Sequence, residues 1–221
     1  AKIATGSLTI GINTWTGVNG TNWSLATNWS CGAVPVSVSD VIVPVVTNMP
    51  QLTASSVCKN LVLQSGANLD LNGHDFTLYG AVTGTGLFKG SATSAIRLNA
   101  ASAISSIYLD QTTDGASNAL NNLTVAGNSS SVTLNNKVVI YDALLPEAGT
   151  LTLNNELVLR STSANTARVG EVTGTIAYGA AGKVTVERYL RNGRKWRLLS
   201  APTYDLNQTI SNWNFIRTKR A

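Results

Sequence analysis

The 221-residue sequence predicts an all-β fold, a right-handed parallel β-helix, from three observations. Only 12% of the residues are charged, while Gly, Ser, Thr, Asn, Val and Leu crowd the chain, a composition of short strands separated by many turns. Apolar-polar-apolar triplets recur from Val57 to about Val186, and no heptad or amphipathic helical pattern stands out. Two such triplets joined at an Asn corner occur three times, as Leu69–Leu78, Val132–Ile140 and Leu151–Leu159. Leu71 and Leu134 are 63 residues apart and Leu134 and Leu153 are 19 apart, which suits three coils of about 21 residues and then one of about 19. A β-sandwich is the alternative, because short strands with turns about every 8–12 residues describe both folds.

Residues 1–13 alternate around Leu8, Ile10 and Ile12 and read as a first strand in need of a partner, on its own chain or on a neighbour's. Residues 14–58 are rich in tryptophan, with Trp15, Trp23 and Trp29 among Gly, Asn and Pro. Two readings follow for these rings. Exposed, they would stack on sugar faces; buried, they would plug the open end of a β-stack with large apolar area and one indole donor each, the reading that the compact punctuation favours. Cys31 and Cys58 flank a strand-and-turn stretch and could stand oxidised or reduced, with context favouring the bridge. A disulfide there would close a loop of about 27 residues and contribute about 3.5 kcal/mol in the chain-entropy picture. Neither a CxxC pair nor a Cys/His cluster points to zinc.

Residues 59–182 form the predicted solenoid, with strands at Leu61–Leu63, Leu87-Phe88, Ile96–Leu98, Ile107–Leu109, Leu123–Val125 and Ile176–Tyr178 besides the three motif copies. In each triplet the first and third side chains point inward, and stacking neighbours completes a core that no single coil could bury. Asn at the corners suits the left-handed region and can hydrogen-bond its counterpart on the next coil. Residues 183–221 differ in kind. They carry 9 basic and 2 acidic residues, against 7 and 9 in residues 1–182. A basic tail can signal nucleic acid. Here Tyr189, Leu190, Trp196, Leu198 and Leu199 interleave with Arg188, Arg194 and Arg197, as in a structured segment that docks on another surface or opens a further domain. The chain starts at Ala1, as a mature or excised fragment would, and its end at Ala221 suggests a longer parent. Its longest apolar runs are far too short to span a bilayer.

The sequence carries little sign of catalysis. Its single histidine, His74, lies in the corner of the first motif copy, where the other copies place Lys137 and Glu156, the mark of a solvated corner rather than a catalytic base. Asp110 and Asp114 flank a Thr-rich loop and are weak calcium candidates without a Gly-centred ligand series. No phosphate-binding Gly loop or nucleophile elbow appears, and no cofactor is expected.

The run Trp15-Thr16-Gly17, Trp23, Asn28-Trp29-Ser30-Cys31, Pro35, Asp40–Pro44 and Cys58–Leu61 resembles the start of β-helical regions in large secreted cell-surface proteins of Bacteroidota, many exported by the type IX secretion system. Glu187-Arg188-Tyr189 and Arg194–Pro202 look like the segment that follows the helix in those proteins. The resemblance implies an extracellular location, a Cys31–Cys58 disulfide and an adhesin-like or stalk role; the C-terminal sorting domain of such proteins is not visible in the sequence. A stack of coils has two open ends that must be capped or joined to another copy, so the module is expected to self-assemble into a filament or to form a stalk. Expected partners are a second copy, adjoining domains or surface polysaccharide, without nucleic acid. A carbohydrate-binding module using the tryptophans is one alternative function. A β-helix enzyme cleaving acidic polysaccharide is another, disfavoured by the lack of an Asp cluster.

Overall fold

The computed structural model describes residues 11–101, 103–128 and 130–190. Within them the chain is all-β, a parallel β-solenoid of about six turns whose only helical element is the 3₁₀ turn Ala26–Asn28. The strands run in chain order β1 (Asn13–Thr14), β2 (Val41–Val43), β3 (Ser56–Cys58), β4 (Leu61–Leu63), β5 (Asn68–Asp70) and β6 (Asp75–Leu78). They continue as β7 (Val82–Thr83), β8 (Leu87–Lys89), β9 (Ala95–Leu98), β10 (Ile104–Ile107), β11 (Ala119–Val125) and β12 (Ser131–Leu134). The last are β13 (Val138–Pro146), β14 (Thr150–Leu153), β15 (Glu156–Leu159), β16 (Arg168–Val169), β17 (Thr175–Tyr178) and β18 (Lys183–Val186).

Every pair of neighbouring strands is parallel, as a chain that returns once per coil requires. One wall stacks β1, β2, β4 and β7, and beside β7 a second set, β10, β12, β14 and β17, begins where Val82 N–H donates to Ser105 Oγ at 3.0 Å. The longest wall runs β3, β6, β9, β11, β13, β15 and β18, with β16 also on β13. A short third wall pairs β5 with β8 and is extended by single bridges from Asn22 to Gln51 to Asp70 and from Phe88 to Leu109.

The triplets point as the alternation predicts. Leu69 and Leu71 are buried on either side of Asp70, and Phe76 and Leu78 on either side of Thr77. Register mates then form inward ladders, Phe76–Ile96–Leu123–Leu144 and Cys58–Leu78–Leu98–Val125, in one continuous core. Each ladder lays apolar side chains over like ones, at roughly 1.5–3 kcal/mol per fully buried large side chain.

Coil length varies more than the even spacing suggests. Val41, Leu61 and Val82 are in register at intervals of 20 and 21 residues, and Leu134 and Leu153 at 19, but Ser105 to Val132 spans 27. The extra residues are the loop 110–118, which leaves the wall and returns across its outer face. The second and third motif copies are true register mates; the first is not. Leu71 belongs to the short wall of β5 and β8, whereas Leu134 belongs to that of β12 and β14, so the 63-residue interval joins different walls. Corner chemistry differs accordingly. Asn72 alone of the described non-glycine residues has positive φ, at 47°, and its amide donates to Leu52 O, while Asn154 Nδ2 donates to Asn135 Oδ1 at 3.2 Å on the preceding coil.

Of the predicted first strand, residues 1–10, with Leu8 and Ile10, lie outside the described residues, as do Arg194, Trp196 and Arg197; among the described ones Ile12 is exposed and Asn13 belongs to β1. The three tryptophans fill the first coils. Trp15 and Trp23 are wholly buried and Trp29 is 3% exposed, with Trp29 edge-on to both at 5.0 and 4.6 Å between ring centres. No ring face is open to a sugar, so these residues are core and not a stacking platform. The expected disulfide is also absent: both thiols are free. Cys58 heads an inward ladder as a small apolar rung over Leu78, whereas Cys31 is exposed, its Sγ 3.7 Å from Ile12 O, so one thiol faces the core and the other the solvent.

Candidate functional site

Polar side chains concentrate on the outer face of the wall formed by β13, β15 and β18, where three corners stack in register. Because Val138, Leu157 and Val184 are register mates, the preceding residues Lys137, Glu156 and Lys183 also align. Lys137 Nζ lies 3.8 Å from Glu156 Oε2, and Lys183 Nζ 3.2 Å from Glu156 Oε1. Asp114 from the loop 110–118 extends the row at 2.9 Å from Lys137 Nζ. The sequence Asp114–Lys137–Glu156–Lys183 is thus an alternating charge ladder. Thr185 Oγ1 donates to Glu156 at 2.6 Å, and this bond, aided by Lys183, holds the carboxyl below its ordinary value of 4.5. Asn118 and Lys137 do the same for Asp114.

A second row lies one turn along the same strands. A bulge places two residues of β13, Tyr141 and Asp142, opposite Asn121 alone, which turns Tyr141 outward. The Tyr141 hydroxyl donates to Gly115 O at 2.8 Å, and the Arg160 guanidinium sits 5.9 Å from the Tyr141 ring centre. Arg160 Nε lies 3.3 Å from Glu187 Oε2, which also accepts the Ser161 N–H at 3.1 Å. Between the rows, Ala119, Val139 and Val158 form a small apolar cluster against which Tyr141 packs. The sequence pattern missed this outer layer, although the 19-residue spacing shared by Leu134/Leu153, Asn135/Asn154 and Lys137/Glu156 carries its signal.

The residues singled out from the sequence are scattered over the fold. Asp110 is buried and accepts the Thr112 N–H at 2.8 Å, closing its own turn, while Asp114 is held by Asn118 and Lys137; they do not converge on a cation. Among the described residues no group of three or more His, Cys, Asp or Glu is placed to hold a metal. His74 is half-buried at its corner, its backbone N–H bonded to Leu71 O at 2.8 Å. Lys137 and Glu156, read as solvated corner residues equivalent to it, are instead ladder members with 28% and 21% of their side chains exposed. Arg188 and Tyr189 are exposed just beyond β18, with Tyr189 N–H on Ser161 Oγ. A shallow cleft of about 290 Å³ lies between Gly90–Ala92 and Thr112–Ser117, and its one charged side chain, Lys89, is committed to Asp70 at 2.8 Å.

No helix among the described residues is long and apolar enough to cross a membrane. No curated protein and no solved structure matches the chain. Residues 14–118, from β1 to the end of the loop 110–118, match a family described as a domain of unknown function (DUF8693).

Proposed function

We propose that the protein is a non-enzymatic structural module of the extracellular surface, a rigid stalk or adhesin-like element that extends, assembles or presents other parts. The observation that supports this reading is the use made of the wall's polar groups. Asp70 pairs with Lys89, Arg97 with Glu147, Arg168 with Asp142, and Glu156 with Lys137 and Lys183. Side chains paired to one another from coil to coil hold a stack together, whereas catalysis needs titratable groups converging on an open cleft. The buried tryptophans and the continuous apolar ladder add stiffness to the same end.

A secreted surface protein of Bacteroidota is the setting in which this reading fits the sequence resemblance. Antibody labelling of intact cells, with protease shaving, tests it directly. Surface signal lost on shaving is the expected result. Signal seen only after permeabilisation, or turnover of a uronate polymer by the purified chain, would overturn the proposal.

A further inference from the structure

The last strand of the long wall, β18, has a neighbour on one side only among the described residues, and its sequence is complementary to itself. Reading along the strand, Lys183-Val184-Thr185-Val186-Glu187 places a cation and an anion four residues apart around two inward apolar side chains. Lys183 N–H and Glu187 N–H bond back to Asn155 O and Leu159 O, so by alternation Val184 and Val186 turn their N–H groups to the open edge. The end of the stack is apolar as well: Tyr178 is 60% exposed and Val172 48%, while Ile176, Val184 and Val186 are only partly buried.

We propose that this edge binds the same edge of a second copy, antiparallel, about a two-fold axis through Thr185. In that arrangement Val184 and Val186 of the two copies exchange backbone hydrogen bonds, Thr185 faces Thr185, and each Lys183 faces a Glu187. Lys183 keeps its pair with Glu156 on one side while 64% of its side chain stays exposed to reach a second acid, and Glu187 Oε1 has no partner among the described residues. The pattern cation-apolar-any-apolar-acid occurs nowhere else in the chain, and its parallel complement, acid first, occurs only at Glu156–Arg160, which already lies under β18. Residues 191–221 contain neither pattern, their single acid being Asp205. A second copy is therefore the occupant that the charges select. Unpaired edges with alternating apolar residues invite such addition, and like charges facing each other would forbid it.

This inference rests on the reading of the chain as an assembling structural module, and the two can fail separately. The test uses the 221-residue chain and two charge variants, Lys183→Glu and Glu187→Lys, with light scattering after size exclusion. The wild type is expected at twice the chain mass. Each variant alone sets like charges opposite each other and loses the doubling. Mixing the two restores it, because in the mixed pair each position 183 again faces the opposite charge at position 187 of the other copy. In a Cys31→Ser background, Thr185→Cys is expected to cross-link to dimers on oxidation faster than Val18→Cys, an exposed position in the first coils. A wild type that stays monomeric, single variants that still associate, a mixture that does not, or cross-linking no faster at 185 than at 18 would each overturn it. A monomer that still labels on the cell surface leaves the structural reading standing, whereas a dimer that cleaves polymer overturns that reading alone.

Discussion

Replacing each indole of the first coils by phenylalanine separates packing from hydrogen bonding, because the three indoles differ in one respect. Trp29 Nε1 donates to Trp23 O at 2.8 Å and Trp15 Nε1 to Asn48 O at 2.8 Å, while Trp23 Nε1 is buried without a hydrogen-bond partner among the described residues. Each Trp→Phe change removes roughly 40 Å³, which at about 24 cal/mol per Å³ of residual cavity costs about 1 kcal/mol. In Trp29→Phe a buried carbonyl also loses its donor, adding about 1–3 kcal/mol, for a total of about 2–4. In Trp23→Phe an unpaired buried donor disappears, and the gain of similar size offsets the void. Trp23→Phe is therefore expected to be near neutral and Trp29→Phe clearly destabilising. Guanidinium unfolding followed by far-ultraviolet circular dichroism measures both without relying on the fluorescence that the substitutions change. Equal losses for the two would refute the reasoning. That result would mean that the Trp23 N–H points into an aromatic face, and the near-perpendicular rings of Trp29 and Phe76, centred 4.6 and 5.3 Å away, are the available ones.

Three further outcomes follow from the same geometry. Gly84 has φ of +88° and a Cβ there would fall 2.0 Å from Leu63 O, whereas Gly20 at +99° has open space around it; Gly84→Ala should lower the melting temperature well beyond Gly20→Ala, and equal shifts would show that coil-to-coil contact at Gly84 is loose. One thiol per chain, Cys31, should react with a water-soluble disulfide reagent in the native state and two in denaturant, since burial pushes the Cys58 thiol up and hides it; no reactive thiol in denaturant before reduction would reinstate the bridge. Glu156 and Asp114 have folded pKa values below their ordinary 4.5 and 3.8, so their stabilising contribution is present above that range and is lost as the pH falls through the folded values. The acid limb of a melting-temperature profile should accordingly be shallower for Glu156→Gln than for the wild type, and superimposable limbs would remove Glu156 from the account.

The architecture was legible because a β-coil writes its period into the side chains: Leu61–Leu63, Ile96–Leu98 and Leu123–Val125 were found as strands by alternation alone and appear as such. Finer placement failed where two walls share one local pattern. Leu69–Leu78 and Val132–Ile140 look alike because any two triplets around a corner look alike, and only partners tens of residues away decide which wall each corner joins. The Ile107–Leu109 triplet shows the same limit. The strand there is Ile104–Ile107, with Ser105 pointing inward where an apolar residue is expected and its hydroxyl taken by Val82 N–H. The two cysteines misled through their spacing, which says nothing about direction: Cys58 faces the core and Cys31 the solvent. The outer ladder escaped notice because its charges lie far apart in sequence, and only the coil length brings Lys137, Glu156 and Lys183 together.

Register is the quantity that the outer polar rows determine. A one-residue slip of β15 on β13 would turn its apolar side chains outward, so the core alone forbids it. A two-residue slip keeps Leu, Val and Ile facing inward, and the core discriminates against it weakly. The charges do not tolerate it. Glu156 would leave Lys137 for the neighbourhood of Asn135, and the Asn135–Asn154 bond would break with it. An exposed ion pair contributes only about 0.2–1 kcal/mol, so each pair is a minor source of stability. Where β15 slips against both of its neighbours, the pairs on both sides of Glu156 and the Asn bond are lost together, a difference of about 1–3 kcal/mol, roughly a fivefold to 150-fold preference for one alignment. The ladder therefore acts on which coil sits where rather than on whether coils form, and the same rule of alternating sign at the edge of β18 is what makes that edge selective for its own copy.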